Sequence, residues 1–349
     1  MSINIKTYLV IILIIVTLFT LLNFSSCDDG PTNTVEEDKP GKRDYMWTVD
    51  TLETFNPLYR LWGSSPTDLW AITTGTYYED IFHFDGSKWK TGTYLLPDPY
   101  SPYSIYGFAS NSVFIGGGNG RIWQYDGSSI KEVAALTKDG RNDLVFDNIW
   151  GESPNSYYAF GAYTDENGYA NNAVIAHFYN NKWEMLNTDG LFGIVEHLYK
   201  GLDNKIYLQV IGGKNYNDST KIYEYSGGKY INLYSNIWTQ GLQADISLIN
   251  REVYFAIGSE IKKRINNQFQ TVLKVDNPNF YQRIWGRNGN DIFLMMVDGL
   301  AHYNGTNIEY LFDYNFHTQI FGAALFEDDV FFLINNTQGK NLIYHGKLK

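Results

Sequence analysis

Residues 60–90 read RLWGSSPTDLWAITTGTYYEDIFHFDGSKWK. Residues 148–183 read NIWGESPNSYYAFGAYTDENGYANNAVIAHFYNNKW, and residues 283–308 read RIWGRNGNDIFLMMVDGLAHYNGTNI. All three stretches follow one plan: an aromatic residue and glycine, a polar turn, an aromatic-rich segment, a variable insert, and an apolar-x-His-aromatic segment. Repetition of one unit along a chain is typical of solenoid and propeller architectures.

Weaker copies of this unit bring the number of repeats to seven, with openings at intervals of roughly 36–49 residues. The first copy contains four short segments rich in β-branched and aromatic residues, at 59–62, 68–72, 81–84 and 88–94. Such segments are typical of strands. A period of about 40–50 residues with four strands predicts the blade of a β-propeller. The seven openings are Leu61, Ile105, Ile149, Leu198, Ile246, Ile284 and Ile320.

The seventh copy lacks a fourth strand, because the chain ends shortly after its third, near residues 343–346. Residues 46–52, MWTVDTL, precede the first blade and occupy a fourth-strand position. Pairing these two segments would close the ring and remove its open edges. We therefore predict an all-β chain with one seven-bladed β-propeller of four-stranded antiparallel blades over residues 46–349. Six or eight blades stay open, because the fourth and fifth copies are degenerate.

The composition favours strands and excludes several classes of protein. Of 349 residues, 44% are hydrophobic, 17% aromatic and only 19% charged, which suits a soluble, strand-rich domain. The formal net charge of −11 argues against a nucleic-acid partner. A single cysteine excludes a disulfide within the chain.

Residues 1–26 predict a secretory signal peptide: Lys6 precedes the apolar run 8–22, and Ser25-Ser26-Cys27 follows. This pattern resembles a bacterial lipoprotein signal. The resemblance implies that Cys27 takes a lipid and that the bilayer is a partner. It also implies a location in the cell envelope, at the surface or periplasmic face of the outer membrane. An uncleaved anchor is the alternative, since the run is near the lower length limit for a membrane span.

Residues 27–45 contain proline, glycine and many charges without apolar periodicity, which predicts a flexible tether after the lipidated cysteine. The domain that follows resembles bacterial secreted and lipid-anchored propellers whose blades carry aromatic-Gly-Ser-Ser-Pro-x-Asp, here residues 62–68. The resemblance covers the chain after the signal and implies a fold more than a chemistry.

The histidines and most of the acidic residues occupy repeated places, which a ring spreads around its axis. We interpret the third-strand histidines as half-buried structural residues, whereas His197 and His317 precede first strands and are less constrained. Acidic and amide side chains in the turns are predicted to bond backbone amides. No catalytic residue, metal site or cofactor is predicted. The third-strand histidines are His83, His177, His302 and His345, and the turn residues are Asp68, Asn155, Asp291, Asp85 and Asp126.

The connections between strands fall into two groups. First-to-second and third-to-fourth turns are short, and in a propeller they lie at one end, the short-turn face. Second-to-third loops and links between blades vary greatly in length and lie at the other end, the long-loop face. Variable loops on a uniform scaffold are common binding surfaces. The predicted ligand-binding residues of this face are Tyr77, Tyr78, Tyr103, Arg141, Tyr163, Tyr169, Tyr216, Trp238, Tyr281, Arg283 and His317.

Two functional hypotheses follow. The first is a non-catalytic binding module, held at a membrane, whose long-loop face takes an envelope protein or a glycan. The second is a polysaccharide-active hydrolase or lyase with its site in the propeller funnel. Two carboxylates close together at the axis would favour the second.

Overall fold

The computed structural model describes residues 39–54, 56–73, 81–91, 101–212, 219–237, 243–314, 318–336 and 339–349. The regular elements in these ranges are strands, and no helix there is long and apolar enough to cross a membrane. The signal peptide, Cys27 and most of the predicted tether lie outside the described residues. The strands are β1 (Tyr45–Leu52), β2 (Leu58–Ser65), β3 (Asp68–Thr73), β4 (Ile81–Phe84), β5 (Trp89–Lys90), β6 (Pro102–Ala109), β7 (Ser112–Gly117), β8 (Arg121–Tyr125), β9 (Ile130–Ala135), β10 (Val145–Ser153), β11 (Ser156–Thr164), β12 (Ala170–Tyr179), β13 (Lys182–Met185), β14 (Ile194–Lys200), β15 (Ile206–Ile211), β16 (Ser219–Ser226), β17 (Lys229–Ile237), β18 (Ala244–Ile249), β19 (Glu252–Ile257), β20 (Glu260–Ile265), β21 (Gln268–Lys274), β22 (Phe280–Asn288), β23 (Asp291–Met296), β24 (Gly299–Tyr303), β25 (Ile308–Asp313), β26 (Gln319–Leu325), β27 (Asp329–Asn335) and β28 (Asn341–Leu348).

These strands form seven four-stranded antiparallel sheets. Blades 1 to 6 are β2–β5, β6–β9, β10–β13, β14–β17, β18–β21 and β22–β25, and blade 7 consists of β26–β28 with β1. The first strand of each blade contacts the first strand of the next, and β26 contacts β2, so the sheets form a closed ring around an axis. The chain is a seven-bladed β-propeller, as the repeats predict.

Strand β1 closes the ring. It pairs with β28 along its whole length, from Tyr45 opposite Leu348 to Leu52 opposite Asn341. Both ends of β1 are buried, at Tyr45 and Leu52. The predicted closing strand is confirmed, and it begins one residue earlier than the sequence indicates.

Burial explains the character of each strand position. Second strands lie in the middle of a blade, between two neighbouring blades, and their side chains are almost all buried; β23, DIFLMM, is buried at every residue. Fourth strands form the outer rim, and β9, IKEVAA, is largely exposed. Continuous apolar runs therefore mark second strands, and mixed runs mark the rim.

The aromatic residue before each blade-opening glycine packs between blades. The Trp62 ring lies over Gly107 of blade 2, where an added Cβ would meet the ring at 2.5 Å. Trp150 is buried and meets the Tyr199 ring of blade 4 edge-on, with centroids 5.6 Å apart. The aromatic-Gly pair thus lets an indole of one blade reach the backbone of the next.

The third-strand histidines are half-buried, as predicted, except His302, which is fully buried, and the acidic residues beside them act differently from the prediction. Asp68 and Asp291 each begin a second strand, and their carboxylates bond a histidine side chain rather than turn amides. The prediction for Asp85 and Asp126 is confirmed, since both accept backbone N–H groups of their turns. The acid–histidine pairs are Asp68–His83 at 2.6 Å, Asp291–His302 at 2.7 Å and Asp329–His345 at 2.6 Å.

Two further blades place an ion pair at this position with other residues. Lys263 replaces histidine in blade 5, and its Nζ lies 2.7 Å from Glu252 Oε2. Blade 4 reverses the charges, since Lys205 Nζ lies 2.9 Å from Glu224 Oε1. The recurring feature is a bonded pair of one acidic and one basic side chain across the second and third strands, which sequence comparison by residue type does not reveal.

Residues 39–44 run across the short-turn face of blade 6, ahead of β1. The Gly41 amide donates to Asn290 O at 2.9 Å, and its Cα lies against the Asp291–His302 pair, where a Cβ would meet His302 at 2.5 Å. Arg43 donates to Asn307 Oδ1 and to His302 O, each at 2.7 Å. We call residues 39–44 the clasp. It belongs to the compact unit that spans Asp38–Lys349.

Candidate functional site

A ring of polar side chains lines the axis. The first strand of each blade is its inner strand, nearest the axis. Every inner strand carries a polar residue directly before the predicted opening residue, although these strands are otherwise rich in apolar residues. Blades 1 to 7 contribute Arg60, Ser104, Asn148, His197, Asp245, Arg283 and Gln319, in that order.

Irregular strand pairing places these side chains. In blades 1, 2, 3, 4, 6 and 7 the register between first and second strands shifts close to the polar position, for example between Val195 and His197 in β14. A β-bulge inserts unpaired residues and turns side chains away from the regular alternation. Because the bulges recur at one level of the ring, polar groups from different blades meet at the axis.

Three neighbouring blades build one network around a buried carboxylate. Asp245 is 1% exposed and accepts from His197 Nδ1 at 2.7 Å and from Arg283 Nε at 3.0 Å. His197 Nδ1 also lies 2.9 Å from Gln209 Oε1. Burial opposes ionisation of Asp245, but His197 and Arg283 outweigh it and hold its pKa below the usual value. Asp245 is therefore an anion that positions two side chains.

A cavity of about 230 Å³ opens beside this network. His197, Asp245 and Arg283 form its polar wall, together with Ser247. Its apolar wall combines aliphatic residues, among them Ala323, with aromatic side chains from three inner strands, namely Tyr199, Trp285 and Phe321. Trp285 packs on Phe332, with ring centroids 5.9 Å apart, and also borders the cavity.

A second group of charges lies on the inner strands of blades 1, 3 and 4. Arg60 Nη2 lies 3.7 Å from Glu196 Oε2 and donates to Asp147 O at 3.0 Å. Burial, reinforced by the negative charge of Glu196, raises the pKa of Asp147 to about 7, while Arg60 acts in the opposite direction. Two carboxylates thus lie near one another on the inner strands, and one is poised to hold a proton near neutral pH.

Asp147 is expected to make stability depend on pH. The folded protein keeps a proton on this carboxyl up to pH of about 7, whereas the unfolded chain loses it near pH 4. Stability should therefore fall as the pH rises from 4 to 7, by up to about 4 kcal/mol from this group. Urea unfolding of Asp147→Asn across this range should show a flatter profile than the parent. Asp139→Asn, at an exposed carboxylate, is the control, and an equal flattening there would contradict the assignment.

The long-loop face carries a cation–aromatic cluster at blade 3. The half-buried Tyr163 ring has Lys138 Nζ 5.4 Å and the Arg141 guanidinium 5.3 Å from its centroid. Arg141 forms a two-point ion pair with Asp143, at 2.9 and 2.6 Å, and this pair bonds Thr164. These contacts therefore hold the link between β9 and β10 against the end of β11 at this face.

The predicted binding residues divide into four groups. Arg141 and Tyr163 meet as described, and Tyr169 is 59% exposed on the same β11–β12 loop. Arg283 lies in the axial cavity instead of on the loops, because a bulge in β22 turns it inward. Tyr103 and Tyr281 are half-buried on inner strands. Tyr77, Tyr78, Tyr216, Trp238 and His317 lie outside the described residues, as does Cys27.

The binding residues predicted from the sequence do not include Arg60, Asp147, Glu196, Asp245 or His197. One signal could have found most of them: a charged or polar residue directly precedes an apolar opening in every repeat. Within the described ranges, no group of three or more histidine, cysteine, aspartate or glutamate residues is arranged to hold a metal ion.

Comparison with known proteins identifies relatives by fold only. No protein-family model matches the chain, and no curated protein sequence matches it. Solved structures do match over most of its length. YCF48 bound to a D1 peptide has 14% identity and a TM-score of 0.59, covering 88% of this chain and 99% of its own. These similarities show a β-propeller.

Two further propellers have comparable similarity. YCF48 from Cyanidioschyzon merolae has 13% identity and a TM-score of 0.57, covering 86% of this chain and 98% of its own. The WD40 β-propeller domain of Doa1 has 9% identity and a TM-score of 0.58, covering 87% and 98%. At such low identity the likeness extends to the ring and not to its chemistry.

Proposed function

We propose that this protein is a lipid-anchored, non-catalytic binding module of the bacterial cell envelope that holds a protein partner on its long-loop face. The observation that carries this proposal is the difference between the two ends of the ring. Turns such as 85–88 and 126–129 on the short-turn face are tight and closed by their own aspartates. The long-loop face instead combines long links with exposed aromatic and cationic side chains.

A protein suits this face better than a nucleic acid. The formal net charge of −11 opposes a polyanion. Tyrosine and arginine are enriched at protein interfaces, and both stand at the blade 3 cluster as Tyr163, Tyr169 and Arg141. Support also comes from a protein of the same fold, YCF48, whose structure is bound to a D1 peptide.

Site-specific photo-crosslinking would test the binding face. A benzophenone amino acid at position 169, on the exposed β11–β12 loop, is expected to capture one defined envelope protein. The same group at Ser128, exposed in a short turn of blade 2, is the matched control and should capture none. Equal products from both positions, or none from position 169, would contradict the proposal.

Cys27 is proposed to carry the anchor. Because it is the chain's only cysteine, Cys27→Ser should abolish incorporation of a clickable fatty acid and release the protein from the membrane fraction. One lipidated cysteine bearing several acyl chains gives stable attachment. Label that persists on the variant would refute this assignment, and the propeller itself should melt as in the parent.

A polysaccharide-active hydrolase or lyase is the second candidate, and the axial carboxylates favour it. Asp147 and Glu196 interact on neighbouring inner strands, and burial together with the charge of Glu196 raises the pKa of Asp147 to about 7. A carboxyl group that keeps its proton near neutral pH is suited to act as a general acid. An activity screen on envelope and plant polysaccharides, repeated with Asp147→Asn, would decide: activity lost in the variant supports an enzyme, and no activity in the parent excludes it for those substrates.

A further inference from the structure

The axial cavity contains polar atoms that the protein itself leaves unused. Arg283 contacts Asp245 through Nε alone, and among the described residues nothing accepts from its two Nη groups. His197 is held through Nδ1, which lies close to the acceptors Asp245 Oδ1 and Gln209 Oε1. The Nε2 atom of the same ring is then left to hydrogen-bond a ligand, as an acceptor on a neutral ring or as a donor on a protonated one.

The buried carboxylate fixes both groups in place. Asp245 is 1% exposed and spans from β14 to β22 through its two oxygens. Gln209, fully buried, is itself held by a bond to Ala244 O at 2.8 Å. Preorganised polar groups of this kind cost a ligand little reorganisation on binding. The cavity wall therefore presents guanidinium donors and an imidazole nitrogen at set positions.

The remaining walls and the volume define the shape of a ligand. Tyr199, Trp285 and Phe321 supply aromatic surface to the cavity, and Tyr199 stacks on the His197 ring of the polar wall. A cavity of about 230 Å³ is smaller than the roughly 300–1,000 Å³ of pockets that take drug-sized ligands. It suits a single compact ring with one apolar face.

We propose that the axial cavity binds one acidic sugar residue, a uronate, with its carboxylate on the Arg283 Nη groups, a hydroxyl hydrogen-bonded to His197 Nε2 and its ring against Trp285 and Phe321. Arginine binds carboxylates through paired N–H donors. An acidic peptide side chain would use Arg283 but would leave the imidazole Nε2 and the aromatic walls without matching groups. This site is separate from the protein partner proposed for the long-loop face.

Charges around the site set the expected specificity. Asp245 neutralises part of the Arg283 charge, and the Glu196 carboxylate also acts on Arg283. Arg60 partly offsets Glu196, at 3.7 Å. An entering uronate meets repulsion from Glu196, so Glu196→Gln is expected to strengthen uronate binding several-fold and leave neutral sugars unaffected.

Calorimetric titration of the full chain with galacturonate, glucuronate, glucose and a short aspartate-containing peptide tests the proposal. Saturable binding of a uronate, at least about tenfold tighter than glucose, is expected. Arg283→Lys should weaken uronate binding about tenfold or more, because lysine lacks the paired donors. Ala323→Phe, which fills the cavity from blade 7, should abolish binding without touching the charged network.

The controls keep the outcome clear. Tyr169→Ala, on the long-loop face, should leave uronate binding unchanged, and thermal melts show whether each variant is folded. Should Arg283→Lys fail to fold, Ala323→Phe and Glu196→Gln still decide. The proposal is overturned if glucose binds as well as the uronates, if no uronate binds, or if the acidic peptide binds better and Ala323→Phe removes it. Loss of crosslinking at position 169 would leave this result untouched, so the two proposals fail separately.

Discussion

A chain without residues 45–52 is expected to lose its cooperative fold and to aggregate. Removal of β1 takes away an eight-residue ladder and leaves β28 as an open, apolar edge. It also empties the core position of Tyr45, whose ring packs 6.3 Å from that of Phe293 in blade 6. We expect a loss above about 5 kcal/mol, comparable with the total stability of many domains. Thermal melts and light scattering would measure both effects.

The control for this deletion removes residues 1–38 only, which keeps the clasp and β1. That chain should melt close to the parent. A chain lacking β1 that also melts like the parent would show that six complete blades and an open seventh suffice for stability.

Truncation of Trp150 to alanine should cost about 3–5 kcal/mol, the range for large aromatic residues in cores. Trp150 is 6% exposed and packs against Tyr158 of its own blade and Tyr199 of blade 4. Both partner rings lie on strands, so they can move only a little into the space that truncation leaves. Urea unfolding followed by tyrosine and tryptophan fluorescence gives the difference in free energy.

Tyr169→Ala is the matched aromatic control, because this side chain is 59% exposed. Its free energy of unfolding should change by less than about 1 kcal/mol. If the loop variant unfolds and the Trp150 variant does not, packing between blades is not what stabilises the ring.

The ring could be predicted from sequence because its signals are local and repeated. Aromatic-Gly openings, turn residues such as Asp85, and alternating strands each lie within a few residues of one another. Even the closing strand could be predicted, because the seventh repeat lacks a fourth strand and an extra strand precedes the first repeat. Because the unit is repeated, the strand positions assigned in one copy can be compared with those in the next, which a single motif does not allow.

The axial site could not be predicted in the same way, because it depends on contacts between repeats and on bulges. Asp245 meets His197 and Arg283 across separations of 48 and 38 residues. Regular alternation of side chains along β22 would not predict that Arg283 faces the axis. Arg283 faces the axis because the register of the β22–β23 pairing shifts between Phe280 and Ile284. Likewise, Asp68 looks like a turn residue until strand pairing places His83 beside it.

The clasp determines how mechanical force enters the domain. Tension applied to the chain ahead of residue 39 acts first on Gly41 and Arg43, which are bonded to blade 6. Strand β1 follows only after Asp44, which is tied to Lys349 through its carboxylate at 2.8 Å and its carbonyl at 3.0 Å. A pull is thus shared between blade 6 and the C-terminal end before it can shear β1 from β28. The pairing of β1 with β28 is therefore loaded only after these contacts give way.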